Sequence, residues 1–157
     1  MSIINRLFKN KKGKYEIIAR AIINHNNQVL LCRNKKDDRY YFPGGHVEIK
    51  EKAENTLHRE LKEELGLIIN NISFIGAVEQ VYKKKNNIYH EVNLVFEVDV
   101  EKIKTKSLED HIDFKLVSVE NLDLDNLLPK ALRRKIIRWL KNKEVFWKSD
   151  VSSKIKK

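Results

Sequence analysis

Apolar and polar residues alternate in short blocks along the chain, a pattern typical of strands joined by turns. Six blocks rich in Ile, Val, Leu or aromatic residues are predicted as strands: residues 15–24, 28–33, 40–42, 72–83, 88–99 and 114–119. The turn signal Asn24-His25-Asn26-Asn27 joins the first two strands, which we therefore predict to form a hairpin. A second turn signal, Lys85-Asn86-Asn87, separates the two longest strands.

Two further blocks have the spacing of helices with one apolar face. Residues 52–65 form the first, and its apolar positions recur every fourth residue at Ala53, Leu57, Leu61 and Leu65. Gly66 is a natural end for that helix. The second is predicted to run from Pro129 to about residue 143. Its apolar face comprises Leu132, Ile136, Ile137 and Leu140. Its basic residues are expected around the rest: Arg133, Arg134, Lys135, Arg138 and Lys141. We expect the final dozen residues to fray.

These elements predict one domain of the α/β (α+β) class, with helices packed on a mixed, mostly antiparallel sheet. A length of 157 residues suits a single domain with its own core. We assign residues 1–14 to a flexible basic lead-in, 15–143 to the domain and 144–157 to a basic tail. No apolar run approaches the roughly 20 residues of a membrane helix, so we expect no membrane contact. The lone Cys32, interpreted as a small buried strand residue, fits a cytoplasmic location.

The charge is concentrated at the two ends of the chain. The sequence carries +10 overall, of which residues 1–20 carry +5, residues 129–157 carry +9 and the middle carries −4. Basic ends are usually solvated surface, but they can also bind a polyanion such as RNA or a polyphosphate. An acidic centre between basic ends suits a site that binds cations and then phosphates.

The candidate chemistry lies on the first helix. At about 100° per residue, Glu60, Glu63 and Glu64 fall on one face, beside the apolar face that packs on the sheet. Three neighbouring carboxylates repel one another, and partial burial increases the repulsion. A divalent cation removes the conflict, and oxygen ligands favour Mg²⁺ or Mn²⁺ over Zn²⁺. The helix therefore predicts a magnesium or manganese site.

The residues before the helix complete the pattern. Gly44 and Gly45 allow a tight turn that brings the backbone close to a ligand, so a glycine carbonyl can join the carboxylates at a metal. Arg59 can orient a carboxylate, and Glu51 and Glu63 are the nearest candidates. A Glu-x-x-Glu-Glu motif alone is common on solvated helices. The whole pattern, however, has a chance frequency of about one in 10⁷ to 10⁸ at ordinary residue usage.

The segment from Gly45 to Leu67 resembles the signature of the Nudix hydrolase family: Gly, five residues, Glu, seven residues, then Arg-Glu-apolar-x-Glu-Glu-x-Gly-apolar. The weaker resemblance extends from about residue 15 to about 142. It implies an α/β/α sandwich around a mixed sheet and hydrolysis of a nucleoside diphosphate linked to another moiety, with Mg²⁺ or Mn²⁺. One position departs from the family, because Lys50 stands where Gly is frequent.

The resemblance also implies roles for individual residues. Metal ligands would be the Gly44 carbonyl, Glu60, Glu63 and Glu64, while Glu51 and Arg59 would orient the loop and the helix. The base that accepts the proton of the attacking water differs among family members. Candidates here are Glu60 on the helix, or Glu109 or Asp110 on a later loop.

Substrate contacts are less specific in the sequence. Arg20 on the first strand lies where relatives often hold a phosphate, and a surface charge is the simpler interpretation. His90, with Glu79 and Glu91, lies on strands that flank the expected cleft. Tyr82 lies fifteen residues after Leu67, near a Tyr of some dinucleoside polyphosphate hydrolases; the Pro of ADP-ribose hydrolases is absent.

Several functions remain open at this point. The leading hypothesis is a pyrophosphohydrolase acting on a nucleotide, a nucleotide sugar or a dinucleoside polyphosphate, as a monomer or homodimer. The basic ends raise a second hypothesis, an RNA 5′-end pyrophosphohydrolase. A third is a non-catalytic Nudix-like nucleotide-binding module, although such a module has no need of three repelling carboxylates.

Overall fold

The computed structural model describes residues 13–152, and in this range the chain forms two α-helices and ten strands. The strands are β1 (Gly13–Ile22), β2 (Asn24–His25), β3 (Gln28–Asn34), β4 (Tyr40–Tyr41), β5 (Gly44–His46), β6 (Ile69–Lys84), β7 (Asn87–Val100), β8 (Ile112–Ser118), β9 (Leu127–Leu128) and β10 (Phe146–Asp150). The helices are α1 (Ala53–Leu65) and α2 (Lys130–Asn142). Neither helix is long and apolar enough to cross a membrane within the described range.

The strands form two sheets. The first has the order β10-β6-β7-β1-β5, in which β1 is parallel to β7 and β10 is parallel to β6, while the other pairs are antiparallel. In the second, β3 pairs with β8 on one side and with β2 and β4 on the other, and β9 pairs with β4. Both sheets contain parallel and antiparallel pairs, so the mixed arrangement is as predicted.

The two helices cover opposite faces of the sheets, which confirms the expected sandwich. Leu57, Leu61 and Leu65 of α1 pack with Ala19, Ala21, Phe96 and Phe114 in one apolar cluster. Leu132, Ile136 and Trp139 of α2 pack with Ile22, Val95, Val29 and Phe42 in the other. Both helices end at the predicted places, and α1 is closed by Gly66 in the left-handed conformation, at φ 60°.

The predicted first hairpin is only partly correct. Asn24–His25 pairs with β3 around a tight turn, in which Asn26 and Asn27 both have positive φ. The longer strand β1 does not pair with β3. It lies between β5 and β7 instead, because the chain passes from one sheet to the other at Ile23.

The expectation that the last dozen residues fray is wrong for Phe146–Asp150. These residues form β10, an edge strand parallel to residues 76–80 of β6. Phe146 packs against Gly76, where an added Cβ would lie 2.6 Å from the Phe146 ring. Because this contact joins segments about seventy residues apart, local patterns do not reveal it. Residues 1–12 of the predicted lead-in lie outside the described range, whereas Gly13 and Lys14 already belong to β1.

Arg133 is the one predicted surface cation of α2 that is buried. Only 7% of the residue is exposed, and its guanidinium donates to the Leu124 carbonyl and lies 3.1 Å from Asp123. The Asp123 side chain is 75% exposed, so the buried guanidinium has its acidic neighbour at the surface. Cys32 lies on β3 as expected, and burial raises the pKa of its thiol to about 12.

Lys50, the departure from the family pattern, has the left-handed conformation at φ 68°. A side chain there costs about 1 kcal/mol, and glycine avoids this cost. We expect Lys50→Gly to raise Tm by about 2 °C once the added freedom of the unfolded chain is deducted. The control is Lys62→Gly, because Lys62 is exposed inside helix α1 and glycine there should lower Tm. Thermal unfolding of both variants decides the matter; an unchanged or lower Tm in Lys50→Gly would contradict the prediction.

Candidate active site

Gly44 and Gly45 bring the backbone of β5 into contact with both β1 and α1. Gly44 has φ 143°, and a Cβ there would lie 1.9 Å from the Ala19 carbonyl oxygen. At Gly45 a Cβ would lie 2.2 Å from Oε1 of Glu60, so the absence of a side chain leaves the space that the Glu60 carboxylate occupies. The two glycines thus serve different purposes: one fits the strand pairing, and the other makes room for a candidate ligand.

Arg59 joins the loop to the helix. Its Nε and Nη2 donate to the two carboxylate oxygens of Glu51, each at 3.0 Å, and its Nη1 donates to Glu60 at 2.7 Å. Glu63 lies farther from the guanidinium, at 3.8 Å. The predicted pairing of Arg59 with Glu51 is therefore confirmed. The bidentate pair fixes the guanidinium, which in turn fixes Glu60.

Glu51 is held on several sides. Its Oε2 accepts hydrogen bonds from the Thr56 hydroxyl at 2.8 Å and from the Glu48 backbone N–H at 3.1 Å. Hydrogen bonds from Arg59, and then from the Glu48 N–H, lower the pKa of Glu51 to about 2. Thr56 is fully buried, and the sequence analysis did not identify its role. A hydroxyl five residues after Glu51, in the first turn of the helix, was the sequence feature that could have indicated this hydrogen bond.

Glu64 differs from its neighbours because it is the carboxylate turned into the protein. Its Oε2 is buried and has no hydrogen-bond partner. Burial, together with the nearby charges of Glu60 and Glu109, raises the pKa of Glu64 to about 8. The Arg20 charge acts in the opposite direction. Glu63, by contrast, has a side chain that is 58% exposed.

The loop between β7 and β8 brings Glu109 towards the helix. The Leu108 N–H donates to the Glu64 backbone carbonyl at 2.7 Å, and Lys104 Nζ donates to the Gly66 carbonyl at 2.6 Å. Glu109 itself lies 3.3 Å from His111 and is partly exposed. Sequence reasoning named Glu109 from its position before a strand, and the fold places it in electrostatic range of Glu64.

The donor atoms suit a hard divalent cation. All candidate ligands are oxygens, and the unpartnered Glu64 oxygen is a buried group that a cation would satisfy. Within residues 13–152, no three Asp, Glu, His or Cys side chains already converge closely enough to hold a metal. The positively charged Arg59 contacts Glu60 and approaches Glu63.

The raised pKa of Glu64 predicts a pH-dependent response to Mg²⁺. Without metal, the Glu64 carboxyl group keeps its proton up to about pH 8 in the folded state and loses it near pH 4.5 in the unfolded chain. The free energy of unfolding should therefore fall as pH rises between these values. Mg²⁺ requires the ionised form, so its stabilising effect should grow over the same range. Thermal unfolding at pH 5 to 8.5, with and without Mg²⁺, tests this. Glu64→Gln should flatten both trends, and an unchanged trend in that variant would exclude Glu64 as the cause.

A chain of hydrogen bonds fixes Arg20. Its Nε donates to Asn93 Oδ1 at 3.1 Å and its Nη1 donates to the Phe42 carbonyl at 3.1 Å. Asn93 is fully buried and donates through Nδ2 to Glu91 at 2.7 Å, and Glu91 also accepts from Gln80 at 3.0 Å. Asn93 was missed by the sequence analysis, although an amide inside the apolar run Val92–Phe96 was a usable signal.

The structure separates two predicted substrate residues. Tyr82 stacks on Tyr89 at 5.2 Å and donates to Glu16 at 3.3 Å. His90 follows Tyr89 on β7, so it lies on the opposite face of the sheet, stacked on Tyr15 and 3.2 Å from Glu79. Arg20 contacts Asn93, and Tyr82 contacts Tyr89. Asn93 and Tyr89 are an even number of residues apart on β7, so their side chains, and with them Arg20 and Tyr82, lie on the same face of the sheet. Tyr82 and His90 therefore do not meet in one site.

A cavity of about 580 Å³ opens beside Glu109. Its lining is of mixed charge and includes, with Tyr40, the cations Arg33, Lys35, Lys106 and Lys115 and the acids Glu109, Asp110 and Asp113. Asp113 pairs with Arg33 at 2.9 Å and with Lys35 at 3.3 Å, while Lys115 lies 4.1 Å from the centre of the Tyr40 ring. The sequence analysis did not single out this cavity, because β3 and the β7–β8 loop come together only in the fold.

Comparison with known proteins places these features in a family. An 8-oxo-dGTP diphosphatase of Buchnera aphidicola is 36% identical over 75 residues, 45% of this chain and 58% of the relative. An ADP-ribose pyrophosphatase of Methanocaldococcus jannaschii is 28% identical over 122 residues, 76% of this chain and 71% of the relative. The chain thus spans little more than half the length of the first relative.

A solved structure and a family model extend the comparison over most of the chain. The crystal structure of a MutT protein from Bacillus halodurans has a TM-score of 0.72 at 18% identity, covering 87% of this chain and 89% of that one, which shows a shared fold. The NUDIX domain model matches residues 14–140, a range that includes α1 and the loop that carries Glu109. The chain therefore belongs to the NUDIX domain family, as its Gly45–Leu67 segment predicted.

Proposed function

We propose that the protein is a metal-dependent pyrophosphohydrolase, which cleaves the diphosphate linkage of a nucleotide by attack of water on phosphorus. The observation that carries the proposal is the buried, unpartnered oxygen of Glu64, in electrostatic range of Glu60, Glu63 and Glu109. Such a cluster is unfavourable alone, and a cation shared with a substrate diphosphate relieves it. The names of the two relatives, a diphosphatase and a pyrophosphatase, support this reaction.

The residues proposed to hold Mg²⁺ or Mn²⁺ are the Gly44 carbonyl, Glu60, Glu63 and Glu64. When bound, the ion would neutralise charge on the phosphate oxygens and lower the pKa of a water molecule. Arg59 holds Glu60 in place and is itself held by the bidentate contact with Glu51. Their role would be to keep the helix carboxylates aligned with the Gly44–Gly45 backbone as the substrate binds.

Cationic side chains on both sides of the carboxylates would bind the rest of the substrate. Arg20 is fixed by Asn93 and the Phe42 carbonyl and acts on the Glu64 charge, so it is the proposed phosphate contact on the β1 side. On the Glu109 side, Lys106 and Lys115 of the cavity would bind a second phosphate-bearing group, since Arg33 and Lys35 already pair with Asp113. Nucleoside triphosphates and dinucleoside polyphosphates meet both requirements.

We assign acceptance of the water proton to Glu109, since one oxygen of Glu60 is already engaged by Arg59. Glu109→Gln should lower kcat by roughly 10²-fold or more with little change in KM. The matched control is Asp110→Asn, one residue along the same loop, which should leave both unchanged. Equal losses in the two variants would point to a general effect of loop charge instead.

A substrate panel tests the function as a whole. The panel contains nucleoside triphosphates, ADP-ribose, nucleotide sugars, diadenosine polyphosphates and 5′-triphosphate RNA, each with Mg²⁺ or Mn²⁺ and with EDTA. We expect metal-dependent cleavage of one class, with products that identify the broken anhydride bond. Cleavage that persists in EDTA would overturn the metal assignment. No cleavage of any substrate, with nucleotide binding retained, would favour the binding-module hypothesis.

A further inference from the structure

The first sheet is covered on only part of the face that is opposite to α2. Helix α1 packs there on β1 and β5. Farther from α1, the large apolar residues Tyr15, Ile17, Phe74 and Trp147 have between 49% and 80% of their surface exposed. Apolar residues that are exposed singly are normal on a protein surface, whereas a contiguous group of them marks an interaction site.

A series of contacts places Tyr15 and Trp147 on the same face of this sheet. Tyr15 of β1 stacks on His90 of β7 at 5.2 Å, and His90 lies 3.2 Å from Glu79 of β6. The Ser149 hydroxyl of β10 donates to Glu79. Because Trp147 precedes Ser149 by two residues, its side chain leaves β10 on the same side. The contacts therefore cross the four neighbouring strands β1, β7, β6 and β10.

The other two exposed residues belong to the same surface. Ile17 lies two residues after Tyr15 on β1, and so on the same face. Phe74 contacts Phe96 edge to face, with ring centres 5.6 Å apart, and Phe96 belongs to the apolar cluster under α1. Partly buried side chains of β7 fill the space between these residues. We call this surface the open face, and its apolar members are Tyr15, Ile17, Phe74, Val92, Leu94 and Trp147.

The open face is large enough for a stable protein interface. An aromatic side chain has about 150–250 Å² of surface, so the four most exposed members contribute roughly 400–500 Å². The largest apolar patch of a typical monomer measures about 300–600 Å². Two such faces in contact would bury roughly 800–1,000 Å² between them. A polar rim then brings the total into the range of about 1,200–2,000 Å² of a specific complex.

The chemistry of the open face favours an apolar partner. The chain has 32 Lys and Arg residues, yet none of the six members of the face is charged. Glu79 and His90 lie among them and are hydrogen-bonded to each other, and Ser149 also donates to Glu79. Their polar atoms thus have partners within the sheet, so the face can lose its water without leaving these groups unpaired.

We propose that the open face binds a second copy of this chain, sheet against sheet, in a symmetric homodimer. The uncharged face is where two copies that each carry +10 can approach with least repulsion. The four strands span about 15 Å between the outer two, which a second sheet matches in width. The alternative occupant is the chain's own residues 1–12, with Ile3, Ile4, Leu7 and Phe8. One segment, about 10 Å across even as a helix, would leave part of the face exposed.

Sedimentation velocity of the full chain, from about 1 to 200 µM, tests the proposal. We expect a dimer that dissociates on dilution. Trp147→Lys and Phe74→Lys should each raise its dissociation constant at least 10-fold, since each places two charges in the interface. Higher salt should strengthen the dimer, because it screens the repulsion between two basic copies. The matched control is Ile68→Lys, since Ile68 is 61% exposed and precedes β6, and it should leave the dimer unchanged.

A full chain that is monomeric at every concentration would overturn the proposal. If Leu7→Lys/Phe8→Lys then converted this monomer into a dimer, the chain's own first residues would be assigned to the open face instead. A dimer weakened equally by Ile68→Lys, or unaffected by the open-face variants, would place the interface elsewhere and also overturn the proposal. Thermal unfolding identifies variants that fold as wild type. Tyr15→Lys, at the most exposed position of the face, replaces any variant that unfolds.

Discussion

Glu64→Gln is expected to abolish most of the hydrolytic activity without destabilising the fold. The amide has the same shape as the carboxyl group but no charge, so it cannot serve as an anionic ligand for Mg²⁺ or Mn²⁺. We expect kcat to fall by roughly 100-fold or more, equivalent to about 2.7 kcal/mol of transition-state stabilisation. Because burial and the charge of Glu60 make the ionised form of Glu64 unfavourable, the variant should unfold at the same or a higher temperature above pH 7.

Turnover, metal affinity and Tm are measured together on three variants. Glu63→Gln should also lower turnover, whereas it should change stability little, since its side chain is largely exposed. Glu54→Gln in the exposed first turn of α1 is the matched control: it should leave turnover and metal affinity unchanged and lower Tm only slightly, through loss of a negative charge at the helix N-terminus. Wild-type turnover in both Glu63→Gln and Glu64→Gln would refute the metal site. A lower Tm in Glu64→Gln would instead assign that carboxylate a structural role.

The distinction between Glu63 and Glu64 shows where sequence reasoning stops. Helical spacing places both on one face, and the Nudix pattern covers both equally. The fold makes Glu64 partly buried and leaves Glu63 exposed, and the β7–β8 loop contacts the Glu64 backbone through the Leu108 N–H and brings the Glu109 charge near the Glu64 carboxyl group. The helix, its Gly66 end and the Arg59–Glu51 pair were predictable because they depend on residues close together in the chain.

The substrate side was less predictable because it depends on strand register. Tyr82 and His90 both lie on long strands beside the expected cleft, but the alternation of side chains places them on opposite faces. Asn93, two residues after Glu91, lies on the face that includes Arg20 and fixes its guanidinium. Strand β10 was missed because its pairing with β6 joins distant parts of the chain.

The same substitution at the two neighbouring glycines of β5 should lower the stability of the fold strongly at Gly44 and little at Gly45. Gly44→Ala places a methyl group 1.9 Å from the Ala19 carbonyl oxygen, at a φ of 143° that side chains disfavour. Relief of the clash requires the paired backbones of β1 and β5 to move apart. We expect a loss of at least about 2 kcal/mol of unfolding free energy, or about 5 °C in Tm. Gly45→Ala meets only the end of the Glu60 side chain, which can rotate away, so Tm should change by less than about 2 °C.

Gly45→Ala should lose activity although its fold is kept. In Gly45→Ala the displaced Glu60 loses its place beside Arg59, so kcat should fall by roughly 10- to 100-fold, as when a partner that orients a metal ligand is removed. Gly44→Ala should lose both stability and activity, because relief of its clash with the Ala19 carbonyl moves the Gly44 carbonyl, itself a proposed ligand. Thermal unfolding and kcat, measured below both Tm values, give the two readouts. A Gly45→Ala protein with full turnover would show that Glu60 works equally well displaced, and its proposed role as a ligand fixed by Arg59 would be lost.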